Sequence, residues 1–91
     1  MQFLAKVSVT PKPTINDPQG NTVLAALQNL GFQGISRVRI GKYLELSLEA
    51  SNQDEAETQV AEMCNRLLAN PVIEQFHCNL EESNTSNSFA N

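Results

Sequence analysis

From Phe3 to Val9 every second residue is apolar: Phe3, Ala5, Val7 and Val9 alternate with Leu4, Lys6, Ser8 and Thr10. A period of two marks a half-buried strand, because successive side chains leave a pleated backbone on opposite sides. Pro11 and Pro13 stop it, since proline cannot donate to a ladder. A strand of this kind needs neighbours along its edges and a cover for its apolar face. The rest of the chain must supply both.

The first cover follows at once. Asp17 suits a helix N-cap, and Pro18 falls at the first helical position, where its missing N–H costs nothing. Val23, Leu24, Leu27 and Leu30 then form an apolar stripe at helical spacing, and Gly31 closes the helix. Gly20 is out of character, because Ala there would favour the helix by up to about 1 kcal/mol. A glycine in a first turn lets something approach the backbone closely: a neighbouring strand, a partner or a ligand.

Ile35–Ile40 and Leu44–Leu48 read as two further strands around Gly41-Lys42. A two-residue hairpin would put Val38 and Leu44 on opposite faces, so Gly41-Lys42-Tyr43 is expected to be a three-residue connection or to hold a bulge. Ser51 or Asn52 can cap a second helix, with Asp54 or Glu55 as the reciprocal partner three residues on. Asp54, Glu55 and Glu57 suit the positive end of its dipole. Its buried stripe is expected to be Ala56, Val60, Met63, Cys64 and Leu67, with Met63 as core filler. Pro71 disfavours helical geometry at Asn70 and ends it. A last strand spans Val72–Leu80 with Phe76, Cys78 and Leu80 inward, and Glu74 at its wet end or at an irregularity. From Glu81 the sequence is polar and aperiodic; residues 1–81 are expected to form one domain and 82–91 a disordered tail.

The order is βαββαβ. With right-handed crossovers it predicts an α+β, ferredoxin-like sandwich: an antiparallel four-stranded sheet, order 4-1-3-2, with both helices on one face. The other face would show Lys6, Ser8, Thr10, Arg37, Arg39, Glu45, Gln75 and His77, interrupted by Leu4, Ile35, Tyr43 and Ile73.

With 91 residues and 10.0 kDa, such a fold should expose roughly 5,200 Å² against roughly 14,500 Å² unfolded. The core is thin, and open strand edges and one open sheet face favour a homodimer or tetramer. Net charge is -4 with six scattered Lys/Arg, which argues against a nucleic-acid or anionic-membrane surface. No apolar run approaches the roughly 20 residues of a membrane span, and the start lacks the regions of a signal peptide. A cytoplasmic protein is expected.

Little here points to chemistry. Cys64 and Cys78 lack CxxC spacing and read as small buried hydrophobes. His77, the single histidine, sits at an outward strand position. Ser8, Ser36 and Ser47 have no base in a recognisable arrangement; Glu45 and Glu49 read as a solvated face, and Gly31, Gly34 and Gly41 form no phosphate-binding fingerprint. Arg37, Arg39 and Lys42 are the one basic cluster; they suit pairing with Glu45, Glu49 or a partner's carboxylates.

Four ordered motifs remain: Asp17-Pro18-Gln19-Gly20; Leu27-x-x-Leu30-Gly31-Phe32; Val38 through Leu46, "VRIGKYLEL"; and Leu67 through Glu74, "LLANPVIE". Together they closely resemble the PurS family, the small subunit of phosphoribosylformylglycinamidine synthase, over residues 1 to about 81. Phe76 stands where the family often has tyrosine. The resemblance implies a non-catalytic structural subunit of purine biosynthesis that forms homodimers and bridges a glutaminase and an ATP-dependent synthetase, so that glutamine-derived ammonia reaches formylglycinamide ribonucleotide. The complex would use ATP and Mg, neither held by this subunit, and no metal or cofactor site is expected in it. Subunit contacts would fall on Asp17, Pro18, Gly20, Arg37, Arg39, Lys42, Tyr43, Asn70, Pro71 and Glu74. An ACT-like ligand-binding module shares the βαββαβ order and would instead use the helix start at Asn16–Gly20 for a small molecule.

Overall fold

The computed structural model describes residues 1–83. The elements run β1 (Gln2–Pro11), α1 (Pro18–Asn29), β2 (Lys42–Glu49), α2 (Gln53–Met63), a π-helical turn (Cys64–Leu68) and β3 (Glu74–Glu82). The fold is α+β, with a three-stranded antiparallel sheet in the order β2-β1-β3. The expected tail begins no earlier than Ser83, because Glu81 and Glu82 pair with Leu4 and Phe3; residues 84–91 lie outside the described residues.

β1 is the centre of the molecule, as its alternation requires. Phe3, Ala5, Val7 and Val9 are at most 2% exposed, and burying a valine or phenylalanine this fully contributes about 1.5–3 kcal/mol each. Leu44, Leu46 and Leu48 lie opposite Val7, Ala5 and Phe3, while Phe76, Cys78 and Leu80 lie opposite Val9, Val7 and Ala5. One face thus carries three apolar rows; α2 seals the middle one with Ala56 and Val60, and the π-helical turn adds Cys64. The outer rows remain only half-buried.

Helix α2 starts as its sequence says. Asn52 Oδ1 accepts from the Glu55 N–H at 2.8 Å, and Glu55 Oε1 accepts from the Ser51 N–H at 2.6 Å, a capping box displaced by one residue. Its end departs from expectation. The Ala69 N–H donates to the Cys64 carbonyl at 2.9 Å, five residues back, so the last turn is wider than an α turn. That wider turn retards the apolar phase: Leu68 and Ala69 turn to the core, and Leu67 is 82% exposed. Met63, expected as core filler, is exposed as well.

Two further corrections concern the first half of the chain. Residues 35–40 form no strand, so the sheet has three strands instead of four and Gly41-Lys42-Tyr43 is no hairpin connection; Lys42 and Tyr43 already belong to β2. Helix α1 covers none of the sheet's core: Gly20 is its only buried residue, and its apolar stripe is half-buried to exposed. The helix itself is well made. Gly31, at φ 105°, is the left-handed closing residue; its N–H reaches the Gln28 carbonyl, and the Phe32 N–H reaches that of Leu27.

Candidate functional site

Asp17 lies at the centre of a junction built mostly from backbone. Its Oδ1 accepts from the Gly20 N–H at 3.0 Å, which caps α1, and its Oδ2 accepts from the Ile40 N–H at 2.8 Å. These two donors, Ile40 first, hold the carboxyl below its usual 3.8, and the Arg39 guanidinium adds to them. Arg39 reaches across with Nη2 to the carbonyls of Pro11 and Lys12. Its Nε stands 3.9 Å from Asp17 Oδ2 and makes no hydrogen bond of its own among the described residues. Arg37 Nη2 donates to the Pro13 carbonyl at 2.8 Å. The two arginines share one task, tying residues 35–40 to the proline-stiffened end of β1.

Gly20 has its explanation here. A Cβ at this position would collide with the Val38 carbonyl oxygen and crowd the Asp17 carboxylate. What approaches the first turn is therefore this chain's own backbone. Gln28 Nε2 adds a bond to the Ile35 carbonyl at 3.3 Å, so α1 and residues 35–40 are held as one arm.

A second turn adjoins the junction. Asn70 Oδ1 accepts from the Val72 N–H at 3.1 Å, the Asn70 N–H donates to Glu74 Oε1 at 2.7 Å, and the Glu74 N–H returns to the Asn70 carbonyl at 2.7 Å. Pro71 lies inside this closed loop. The Lys12 N–H then donates to the Ile73 carbonyl at 2.8 Å, and Glu74 lies opposite Pro11. Glu74 is thus at the wet end of its strand, where it fastens a turn.

Lys42 and Tyr43 lie opposite Val9 and Ser8. All ten residues picked from the sequence therefore gather at one end of the sheet, where β1 finishes and β2 and β3 begin. Arg37 and Arg39 do not stand on the sheet's outer face and do not pair with Glu45 or Glu49. Glu45 instead accepts from the Tyr43 hydroxyl at 2.9 Å, and Glu49 from Gln2 at 3.4 Å. Lys42 makes no ion pair among the described residues. The outer face is polar, with rows such as Tyr43–Ser8–His77 and Glu45–Lys6–Asn79. Lys6 Nζ meets Glu81 at 3.0 Å, and this contact raises the lysine above its usual 10.5.

The junction's Asp17 and arginine side chains are engaged with backbone groups of the same chain. Burial pushes both the Cys64 and the Cys78 thiol above 9.0, the opposite of what a nucleophilic thiolate needs. Among the described residues no group of three or more His, Cys, Asp or Glu is placed to share a metal ion. The start of α1, which an ACT-like module would offer to a ligand, is filled by the Asp17 carboxylate and the Val38 carbonyl. The carboxylate is anionic and the carbonyl presents the negative end of its dipole, an arrangement unsuited to an anion.

Sequence reasoning missed the parts of the junction that are not side chains: the carbonyls of Pro11, Lys12, Pro13 and Val38 and the N–H of Ile40. Backbone groups are the same at every residue, so only the glycine that must make room for one of them left a signal.

Comparison with known proteins supplies the context. The family model described as PurS, phosphoribosylformylglycinamidine (FGAM) synthase, matches residues 4–82. The phosphoribosylformylglycinamidine synthase subunit PurS of Synechocystis sp. is 49% identical over 74 residues, 81% of this chain and 74% of that protein. The Bacillus subtilis PurS structure superposes with a TM-score of 0.79 at 44% identity, covering 88% of this chain and 99% of that one. A chain of the PurLQS structure from Thermotoga maritima gives 0.82 at 28% identity, covering 89% and 99%. The match spans every element described above, from β1 to the end of β3, and on it the chain belongs to the PurS family.

Proposed function

We propose that this chain serves FGAM synthase as a non-catalytic structural subunit, docking between the glutaminase and the ATP-dependent synthetase so that ammonia released from glutamine reaches formylglycinamide ribonucleotide. It acts in the cytoplasm as a homodimer, and ATP and Mg are held by other subunits. One observation carries the reading. The motif residues gather at one end of the sheet into a network of backbone hydrogen bonds, which engages the Asp17, Arg37, Arg39 and Glu74 side chains and gives a rigid shape. The likeness to a chain from a PurLQS assembly agrees with it.

Reconstitution tests this. Added to purified synthetase and glutaminase, the protein should raise glutamine-dependent FGAM formation at least tenfold and leave ammonia-dependent formation by the synthetase unchanged. The protein alone should release no glutamate from glutamine. Glutamate release at an enzymatic rate, or no gain on addition, would remove the proposal.

A further inference from the structure

The sheet order β2-β1-β3 leaves the outer edge of β3 unpaired. Which residues turn their backbone toward that edge follows from two bonds at the strand's ends. The Lys12 N–H donates to the Ile73 carbonyl, and the Ser83 N–H donates to the Gln2 carbonyl. Odd-numbered residues at both ends thus face β1, and a strand alternates its backbone groups as it alternates its side chains. Phe76, Cys78 and Leu80 therefore point their N–H and C=O groups away from the sheet, and none of these groups has a partner among the described residues.

An unpaired edge is a template for another strand, and proteins that keep one solitary blunt it with proline, a bulge or an inward-pointing charge. The middle of β3 carries no proline and no charged side chain on the face toward α2. There Phe76, Cys78 and Leu80 are half-buried, and Gln53, Glu57 and Ala61 overhang them to form an open groove of about 390 Å³. Open edge and groove coincide from Phe76 to Leu80.

The charge around the groove has one sign. Glu57 stands over its middle, where its carboxylate adds to burial in pushing the Cys78 thiol up. Glu74 and Glu82 share the same face at the two ends of the strand. Glu57 accepts from Gln53 at 3.3 Å and has no ion pair among the described residues.

These features select the occupant. An extended segment satisfies such an edge through its backbone and places alternate side chains in the adjoining groove. Apolar side chains suit Phe76, Cys78 and Leu80, and a Lys or Arg suits Glu57 and Glu82. A second copy of this chain suits the edge poorly. Paired antiparallel about Cys78, it would set Glu74 against Glu82, and like charges directly opposite destabilise a sheet.

We propose that the open edge of β3 receives an extended segment of an enzyme subunit, basic and apolar by turns, which joins the sheet as its outermost strand and lays apolar side chains beneath α2. The proposal rests on the docking reading above and says how one of its contacts is made.

The test is amide hydrogen exchange of the full chain, alone and after addition of purified synthetase, purified glutaminase or both. In one of these assemblies the amides of Phe76, Cys78 and Leu80 should slow by about tenfold or more, while His77 and Asn79, already turned to β1, change little. That alternation separates a paired strand from a surface that is simply covered. Glu57→Arg should leave the circular dichroism unchanged, because Glu57 is exposed on α2, and weaken the same assembly by about tenfold or more. Glutamine-dependent FGAM formation by an assembly whose three amides exchange as in the free chain would overturn strand addition and leave the docking function standing. So would slow exchange in the protein alone, which would put a second copy or residues 84–91 on the edge. Assembly of the Glu57→Arg protein at unaltered affinity would overturn the basic character of the segment. Failure to assemble with either subunit would overturn the docking reading itself.

Discussion

At the residue scale, Gly20 shows how a local preference yields to a contact distant in sequence. In an isolated helix, Gly20→Ala would stabilise by up to about 1 kcal/mol. Here its Cβ would meet the Val38 carbonyl and the Asp17 carboxylate, and relieving such overlap costs about 1–3 kcal/mol. The substitution should therefore lower the melting temperature by several degrees and increase hydrogen exchange at Ile40; a raised melting temperature would contradict the packing. Asp17 makes a second prediction. Its folded pKa lies below 3.8, so its contribution to stability is complete above that pH and is lost as pH falls through the folded value. Glu55, held below 4.5 by the Ser51 N–H, behaves alike. In acid titration followed by circular dichroism, Asp17→Asn should flatten the acid limb of the stability curve relative to the unsubstituted protein, while the contribution of Glu55 remains. The sequence showed that Asp17 and Pro18 open a helix, and that Gly20 needed a reason. It could not name Val38, since nothing in a carbonyl's identity says where the chain brings it.

Among the elements, those with one strongly buried face were legible. β1 and the start of α2 follow their patterns because each buries one stripe against a single neighbour. The π turn was not, because a single slipped turn leaves the composition unchanged and only moves the phase. Its consequence is measurable. Ala69 is buried at 7% exposure, so Ala69→Leu should overpack the core and cost about 1–3 kcal/mol by urea denaturation. A regular α-helical phase through Ala56, Val60 and Cys64 makes Leu67 the next core position and would tolerate the change at 69. Val60→Ala, at 1% exposure, should cost about 2–3 kcal/mol. Residues 35–40 illustrate a different limit: alternation identifies a segment fit to be a strand and is silent about which sheet, or whose, it joins.

For the whole molecule, the arginines connect stability to assembly. Had Arg39 served only a partner's carboxylate, Arg39→Ala would leave the isolated protein's melting temperature nearly unchanged. It ties the arm to Pro11 and Lys12 instead, so its loss should cost about 1–3 kcal/mol of stability as well as glutamine-dependent activity of the reconstituted enzyme. Ammonia-dependent activity of the synthetase should stay intact. Activity lost with an unchanged melting temperature would restore the partner-only role. The charge distribution gave no warning of this, because a guanidinium that serves carbonyls has the same formal charge as one that serves an acid. The position of Tyr43 has a practical corollary. The chain has no tryptophan and this single tyrosine, a residue 57% exposed on the polar face, away from α2, with its hydroxyl on Glu45. The protein thus carries a built-in optical probe of one surface: its ultraviolet absorption and emission should change when another subunit lies against that face.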